Sequence, residues 1–167
     1  TNNRSEVQPF FAAPEMLPLD NIDAVVITHA HVDHIGMLPV LFRYGYKGPV
    51  YCTQPTRDLM TLLQMDYIKV AQAEGNEAPY SKSDIQECIK HVVDVNWGEK
   101  TDIAPDIKMT MENAGHILGS SSVYMQIGEG RTEHKLLFSG DIKYEKSWLF
   151  DAATVRFNKV DTLVIES

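Results

Sequence analysis

Two cysteines in a chain of 167 residues are too few for a disulfide framework, and Cys52 and Cys88 lack the spacing of a metal-binding pair. They are expected to be reduced and partly buried, in a cytoplasmic protein. Long apolar runs are missing too. None approaches the roughly 18 residues that cross a bilayer, so no membrane partner is expected. The opening stretch TNNRSEVQPFFAAPEM has neither the basic start nor the apolar centre of a secretory leader. Basic charge is also short: 15 Lys and Arg stand against 23 Asp and Glu, for a formal net charge of −8. That argues against a generally basic surface for gripping nucleic acid, although bound cations would reverse the local field wherever carboxylates act as ligands. Lys143, Lys146, Arg156 and Lys159 gather late in the chain, more in the manner of a solvated face than of a binding patch. No repeat, low-complexity tract or Pro/Gly-rich linker divides the sequence.

What is present is 44% hydrophobic and 23% charged, the composition of a globular domain. DAVVIT (Asp23–Thr28) reads as a buried strand, GMLPVLFRYGY as a short helix closed by Gly45, and GPVYCT (Gly48–Thr53) as another strand. Pro55 suits the first turn of a helix that Gly75 ends, with Leu59, Leu62, Leu63 and Val70 as its core stripe. Ser81 and Ser83 each offer a capping box, with Asp84 and Gln86, to a helix DIQECIKHV, and Gly98 marks a turn. Beyond it DIKMTMENA, SVYMQIGEG, HKLLFSGD and DTLVIES read as strands. The order is mixed α/β.

The chemistry concentrates in VVITHAHVDHIGMLPVL (Val25–Leu41), where His29, His31, Asp33 and His34 leave the end of an apolar strand. Such a cluster is costly to hold away from water unless something binds it. Imidazole nitrogen and carboxylate oxygen are ligands that a borderline cation such as Zn²⁺ accepts, and His is neutral enough near pH 7 to offer a lone pair. His116 in NAGHILGSS and Asp141 in FSGDIKY are further candidates at strand ends, each flanked by glycine that lets the backbone aim one side chain. His91 and His134 read as surface or strand-end residues.

THAHVDH, GHILGS and SGD, in this order, resemble the second, third and fourth motifs of the metallo-β-lactamase fold, a four-layer αβ/βα sandwich with metals along one edge of its sheets. GPVYCTQPTRDLM, GHILGSS and LVIES resemble more narrowly the β-CASP branch that cuts nucleic acid, and within it the archaeal homologues of the cleavage and polyadenylation specificity factor nuclease. The resemblance implies two Zn²⁺ with a bridging water or hydroxide: His29, His31 and His116 on one ion, Asp33 and His34 on the other, Asp141 between them. It implies Asp33 and Glu166 as catalytic carboxylates, with Glu166 orienting a leaving-group histidine in a cap domain that follows Ser167. Residues 1–167 are then the N-terminal portion of the sandwich, an incomplete fold ending where the cap begins. The expectation is a zinc-dependent RNA phosphodiester hydrolase, an endoribonuclease with or without 5′→3′ exonuclease activity, homo-oligomeric at full length, in RNA 3′-end processing, transcription termination or decay. The segment alone is expected to be inactive. A thioester or lactam hydrolase, or a metal-free scaffold, is the alternative, since fold alone does not fix function.

Overall fold

A computed structural model describes residues 17–154 and 157–166. The opening stretch read above for a leader, Arg156 of the basic cluster, and Ser167 lie outside the described residues. Among the described residues, eight strands and four α-helices follow in the order β1 (Val25–Val26), α1 (Val32–Ile35), α2 (Leu38–Arg43), β2 (Val50–Cys52), α3 (Gln54–Ala73), α4 (Lys82–Lys90), β3 (Val92–Asp94), β4 (Lys100–Ala104), β5 (Ile107–Asn113), β6 (Ser121–Ile127), β7 (His134–Phe138) and β8 (Thr162–Val164). The first three strands form a parallel sheet, the other five a second sheet in the order β4-β5-β6-β7-β8, antiparallel except for the β7–β8 pair.

Alternation along the short parallel strands builds two cores, because successive side chains point to opposite faces. Ile27, Val50 and Cys52 face the helices and join Ile35, Leu38, Phe42, Met60 and Cys88. Tyr51, between Val50 and Cys52, faces the other way and packs with Val95, Met109, Met111 and Val123 of the second sheet. The layers are therefore helices, parallel sheet and mixed sheet.

The long helix departs from the apolar stripe read in the sequence. Its buried residues are Thr56, Met60, Gln64, Ile68 and Ala71. Leu59 and Leu63 are partly buried against the core, whereas Leu62 and Val70 are 64% and 48% exposed. Two polar residues rotate the stripe because each finds a partner on another segment, which offsets part of the cost of burying it: Thr56 Oγ1 donates to the Gly119 carbonyl at 3.1 Å, and Gln64 Nε2 to the Ile35 carbonyl at 3.0 Å, while Gln64 Oε1 has no partner among the described residues. Of the two possible capping boxes, the one formed is Ser81 with Asp84, so α4 starts at Lys82 and His91 caps its end.

Two strands were not foreseen, β3 and β4. Val92–Asp94 follows a helix without a turn signal, and Lys100–Ala104 is an edge strand with three exposed or half-exposed polar residues, so neither shows a clear alternation. The first strand is shorter than expected, because only Val25 and Val26 pair in register with Val50 and Tyr51. Ile27 adds one further bond, to the Tyr51 carbonyl, and the chain then leaves the sheet toward α1. Among the described residues no helix is long and apolar enough to cross a membrane.

Candidate metal centre

Four segments end at one edge of the two sheets. The run Thr28–His34 leaves β1 and enters α1; the loop between β5 and β6 carries His116; the loop after β7 carries Asp141; and the start of α3 braces them. The sheets are joined there by the Ser121 N–H, which donates to the Thr28 carbonyl at 2.8 Å. Thr53 caps α3, and its hydroxyl also donates to the Gly119 carbonyl at 2.8 Å. Gly119 has φ +77°, and a Cβ there would lie 2.7 Å from Thr53 Oγ1 and 2.9 Å from the Thr56 nitrogen. Only glycine gives both that backbone conformation and that approach. Gly140 plays the same part before Asp141, with φ +56° and space for a Cβ filled by Thr28 at 2.9 Å.

The side chains so positioned converge. His31 Nδ1 lies 3.0 Å from His29 Nε2 and 3.1 Å from His116 Nε2. Asp141 Oδ2 lies 3.6 Å from His29 Nε2 and 3.5 Å from His116 Nε2. A tetrahedral zinc site with bonds of about 2.0–2.1 Å has ligand-to-ligand edges of about 3.3–3.4 Å, and the donor atoms of these four residues, all within 4.8 Å of one another, are close enough to share one cation. Hydrogen bonding alone serves the cluster poorly, because the single His31 Nδ1, whether it donates or accepts, faces two imidazole nitrogens at once. The N₃O donor set fits a divalent borderline metal.

A second set adjoins the first through the other oxygen of Asp141. Oδ1 lies 3.4 Å from His34 Nε2, which is itself 3.4 Å from Asp33 Oδ2. One carboxylate thus faces both sets. The Asp33 side chain is 78% exposed, so this second set is the more open of the two. All six histidine and aspartate candidates from the sequence therefore meet at this edge.

Burial sets the protonation of the innermost group. His29 is fully buried. Its pKa is lowered to about 4, first by that loss of water and then by His34 nearby, with Asp141 opposing. A neutral ring keeps its lone pair through the neutral range. Thr28 Oγ1 sits 3.1 Å from His29 Nδ1, so the ring has one nitrogen engaged and Nε2 left for the cluster. Glu166, the sequence's remaining candidate, follows β8. Its Oε1 accepts the Ile142 N–H, next to Asp141, and its own N–H donates to Ser139 Oγ at 3.2 Å.

Sequence reasoning missed the residues that hold these loops. Thr28 supports His29; Ser120 Oγ accepts the N–H groups of His116 and Ile117, both at 3.1 Å; Asn113 Oδ1 accepts the Gly115 N–H at 2.9 Å. The Asn-x-Gly spacing was the one available signal, since Asn bonding to the backbone two residues on is a common turn device. Cys52 and Cys88 are thiols buried completely, deeper than the partial burial expected from the sequence.

Two packed α/β sheets place this cluster at one edge, and the beta-lactamase superfamily domain matches residues 4–167. The chain belongs to the metallo-β-lactamase superfamily. It is 54% identical over 159 residues to a protein of Methanocaldococcus jannaschii named transcription termination factor FttA, covering 95% of this chain and 25% of that relative. Proteins of the same name from Thermococcus kodakarensis and Lokiarchaeum are 50% and 46% identical over 98% and 99% of this chain and 26% of each relative. The chain thus spans about a quarter of the length of the curated relatives it matches.

Proposed function

We propose that the chain is the metal-binding portion of a zinc-dependent RNA phosphodiester hydrolase that acts in transcription termination, RNA 3′-end processing or decay. The observation that carries this reading is Asp141, whose two oxygens face two adjoining sets of nitrogen and oxygen donors. The names of the archaeal relatives direct it to RNA. When bound, two zinc ions supply Lewis-acid polarisation of a phosphoryl oxygen and a nucleophile at neutral pH. His29, His31 and His116 would hold one ion, Asp33 and His34 the other, and Asp141 would serve both. The lowered pKa of His29 keeps that ligand neutral and available. Asp33, the most exposed of the six, stands nearest to solvent and to an entering phosphodiester.

Glu166 acts on the site through the loop it braces, since its carboxylate fixes the Ile142 N–H beside Asp141. We also assign it the role of orienting a leaving-group acid supplied by a cap domain beyond residue 167, which makes residues 1–167 a partial domain. The two roles separate in Glu166→Gln, which keeps an acceptor for the Ile142 N–H but removes the charge. The full-length protein is read as a cytoplasmic homo-oligomer.

Single-turnover cleavage of a labelled single-stranded RNA by the full-length protein, with and without a chelator, tests the proposal. The expected result is zinc-dependent cleavage in the wild type and a rate lowered about 100-fold or more in Glu166→Gln, the scale of a lost acid–base contribution, with zinc content unchanged. Zinc-loaded protein that leaves RNA intact while hydrolysing a thioester or a β-lactam would replace this reading with the alternative hydrolase. Full-length protein that binds no zinc would replace it with the scaffold.

A further inference from the structure

The chain has two tryptophans, and both stand in solvent: Trp97 is 47% exposed and Trp148 103%. Tryptophan is highly buried on average, and water is a poor environment for so large an apolar ring. The two share a second feature. The loop 114–120 carries His116, and each of its ends anchors a tryptophan-bearing segment. At one end the Trp97 Nε1–H donates to Ser121 Oγ at 2.9 Å. At the other, the Lys143 N–H donates to the Ala114 carbonyl at 2.9 Å, and the Thr154 N–H to the Asn113 carbonyl at 2.8 Å.

The second segment is a closed loop that begins two residues after Asp141. The Ala153 N–H donates to the Lys143 carbonyl at 2.8 Å and shuts its base. Its tip turns at Ser147, whose Oγ accepts the Phe150 N–H at 2.9 Å and whose N–H donates to the Phe150 carbonyl at 2.9 Å. A serine bonded to its own turn in this way restricts the backbone. Trp148 and Leu149, the latter 83% exposed, are held between these two residues. The ends of the loop that carries His116 therefore also anchor both tryptophan-bearing segments, one through the Ser121 side chain and the other through backbone.

We propose that Trp97 and Trp148 are stacking platforms for bases of single-stranded RNA lying across the metal centre. The inference rests on the RNA reading above. Every base has a π-face, so aromatic side chains bind single strands with little sequence preference while cations track the phosphates. Lys143 and Lys146 lie on the Trp148 loop, Lys146 bridged to Asp151 at 3.0 Å. A protein partner favours a contiguous apolar patch. Exposed Leu149 and Tyr144 stand near Trp148, but Glu145, Lys146 and Asp151 interrupt them, and Glu99 stands near Trp97, so neither indole lies in an uninterrupted run of apolar residues.

The test is the affinity of zinc-loaded full-length protein for fluorescent oligouridine, followed by anisotropy across a salt series. Trp97→Ala and Trp148→Ala are each expected to weaken binding about tenfold, within the range for one lost stack, with zinc content unchanged. Phe at either position restores most of the affinity. Stacking releases no counterions, so neither Ala variant changes the salt slope, whereas Lys143→Ala lowers it by about 0.7, one phosphate contact on a single strand. Wild-type affinity in both Ala variants, in a protein that binds and cleaves RNA, would overturn the inference and leave the RNA reading standing. A Trp148→Ala protein with wild-type RNA affinity but an altered sedimentation coefficient would assign the loop to a protein interface and overturn it equally. A wild type that binds no RNA removes the reading on which it rests.

Discussion

At the scale of single residues, the His/Asp cluster that the structure brings together was legible because metal chemistry admits few residue types. His29, His31, Asp33 and His34 stand within six positions, and His116 and Asp141 each follow a strand and touch a glycine. Thr28 and Ser120 were not legible, because serine and threonine occupy strand ends and turns for many reasons and their role appears only when a ring or an N–H faces them. The bridging geometry makes Asp141 the residue on which both sets depend. Asp141→Ala in the full-length protein is expected to lower total zinc by about half or more, because ligand count governs affinity, with the His34 set depleted first. Elemental analysis decides it, and unchanged zinc would sink the bridging role. The two thiols give a prediction of another kind. Burial, with Asp94 nearby, raises the Cys52 pKa from 9.0 to about 12, and burial, with Cys52 beside it, does the same for Cys88. Below about pH 9 both states keep these protons and stability is unaffected by them. Above it the unfolded chain loses protons that the folded chain retains, so stability falls as pH rises from about 9 toward 12. Denaturant midpoints at pH 8 and pH 10 should show that fall in the wild type, and a smaller one in Cys52→Ala compared with itself over the same interval.

Elements were legible where local chemistry fixes them and illegible where tertiary partners do. Pro55 and Gly75 bracket α3 as read, yet its buried face is set by Thr56 and Gln64 bonding to carbonyls of other segments, which no apolar count reveals. Capping shows the same division. Ser81 and Ser83 were equal candidates, but Ser81 Oγ accepts the Asp84 N–H and the Ser81 N–H donates back to Asp84 Oδ2 at 2.7 Å. Ser81→Ala is therefore expected to cost about 1 kcal/mol, the usual loss for a helix cap, and Ser83→Ala a few tenths at most. Chemical denaturation of the two variants distinguishes them, and equal losses would refute the assignment. Gly119→Ala belongs to this scale as well. It forces an L residue to φ +77° against the start of α3, so a loss of about 2 kcal/mol or more is expected, together with weaker zinc binding as the His116 loop shifts.

For the molecule as a whole, two sheets with separate cores meet at an edge where their direct backbone link is one bond from Ser121 to Thr28. Parallel strands of two and three residues contribute little of their own to hold that edge. The proposed ligands come from both sides of the junction: His29, His31, Asp33 and His34 follow the parallel sheet, while His116 and Asp141 follow strands of the mixed sheet. A cation bound by both groups would join the sheets in the folded state and have no equivalent site in the unfolded chain, so its binding free energy would stabilise the fold. At a free zinc concentration about 100 times its Kd, that amounts to roughly 2.7 kcal/mol. The effect is local before it is global, because loops open individually at lower free energy than the cores. Hydrogen exchange of the full-length protein, with zinc and after chelation, should therefore show faster exchange on removal of the metal in peptides covering 114–121 and 139–142. Peptides covering α4, which packs against α2 and α3 away from the site, should exchange at the same rate in both conditions. Adding zinc back should restore protection at the edge. Identical exchange of the 114–121 and 139–142 peptides in the two conditions would show that the edge is held by protein contacts alone and that the metal does not tie the sheets together.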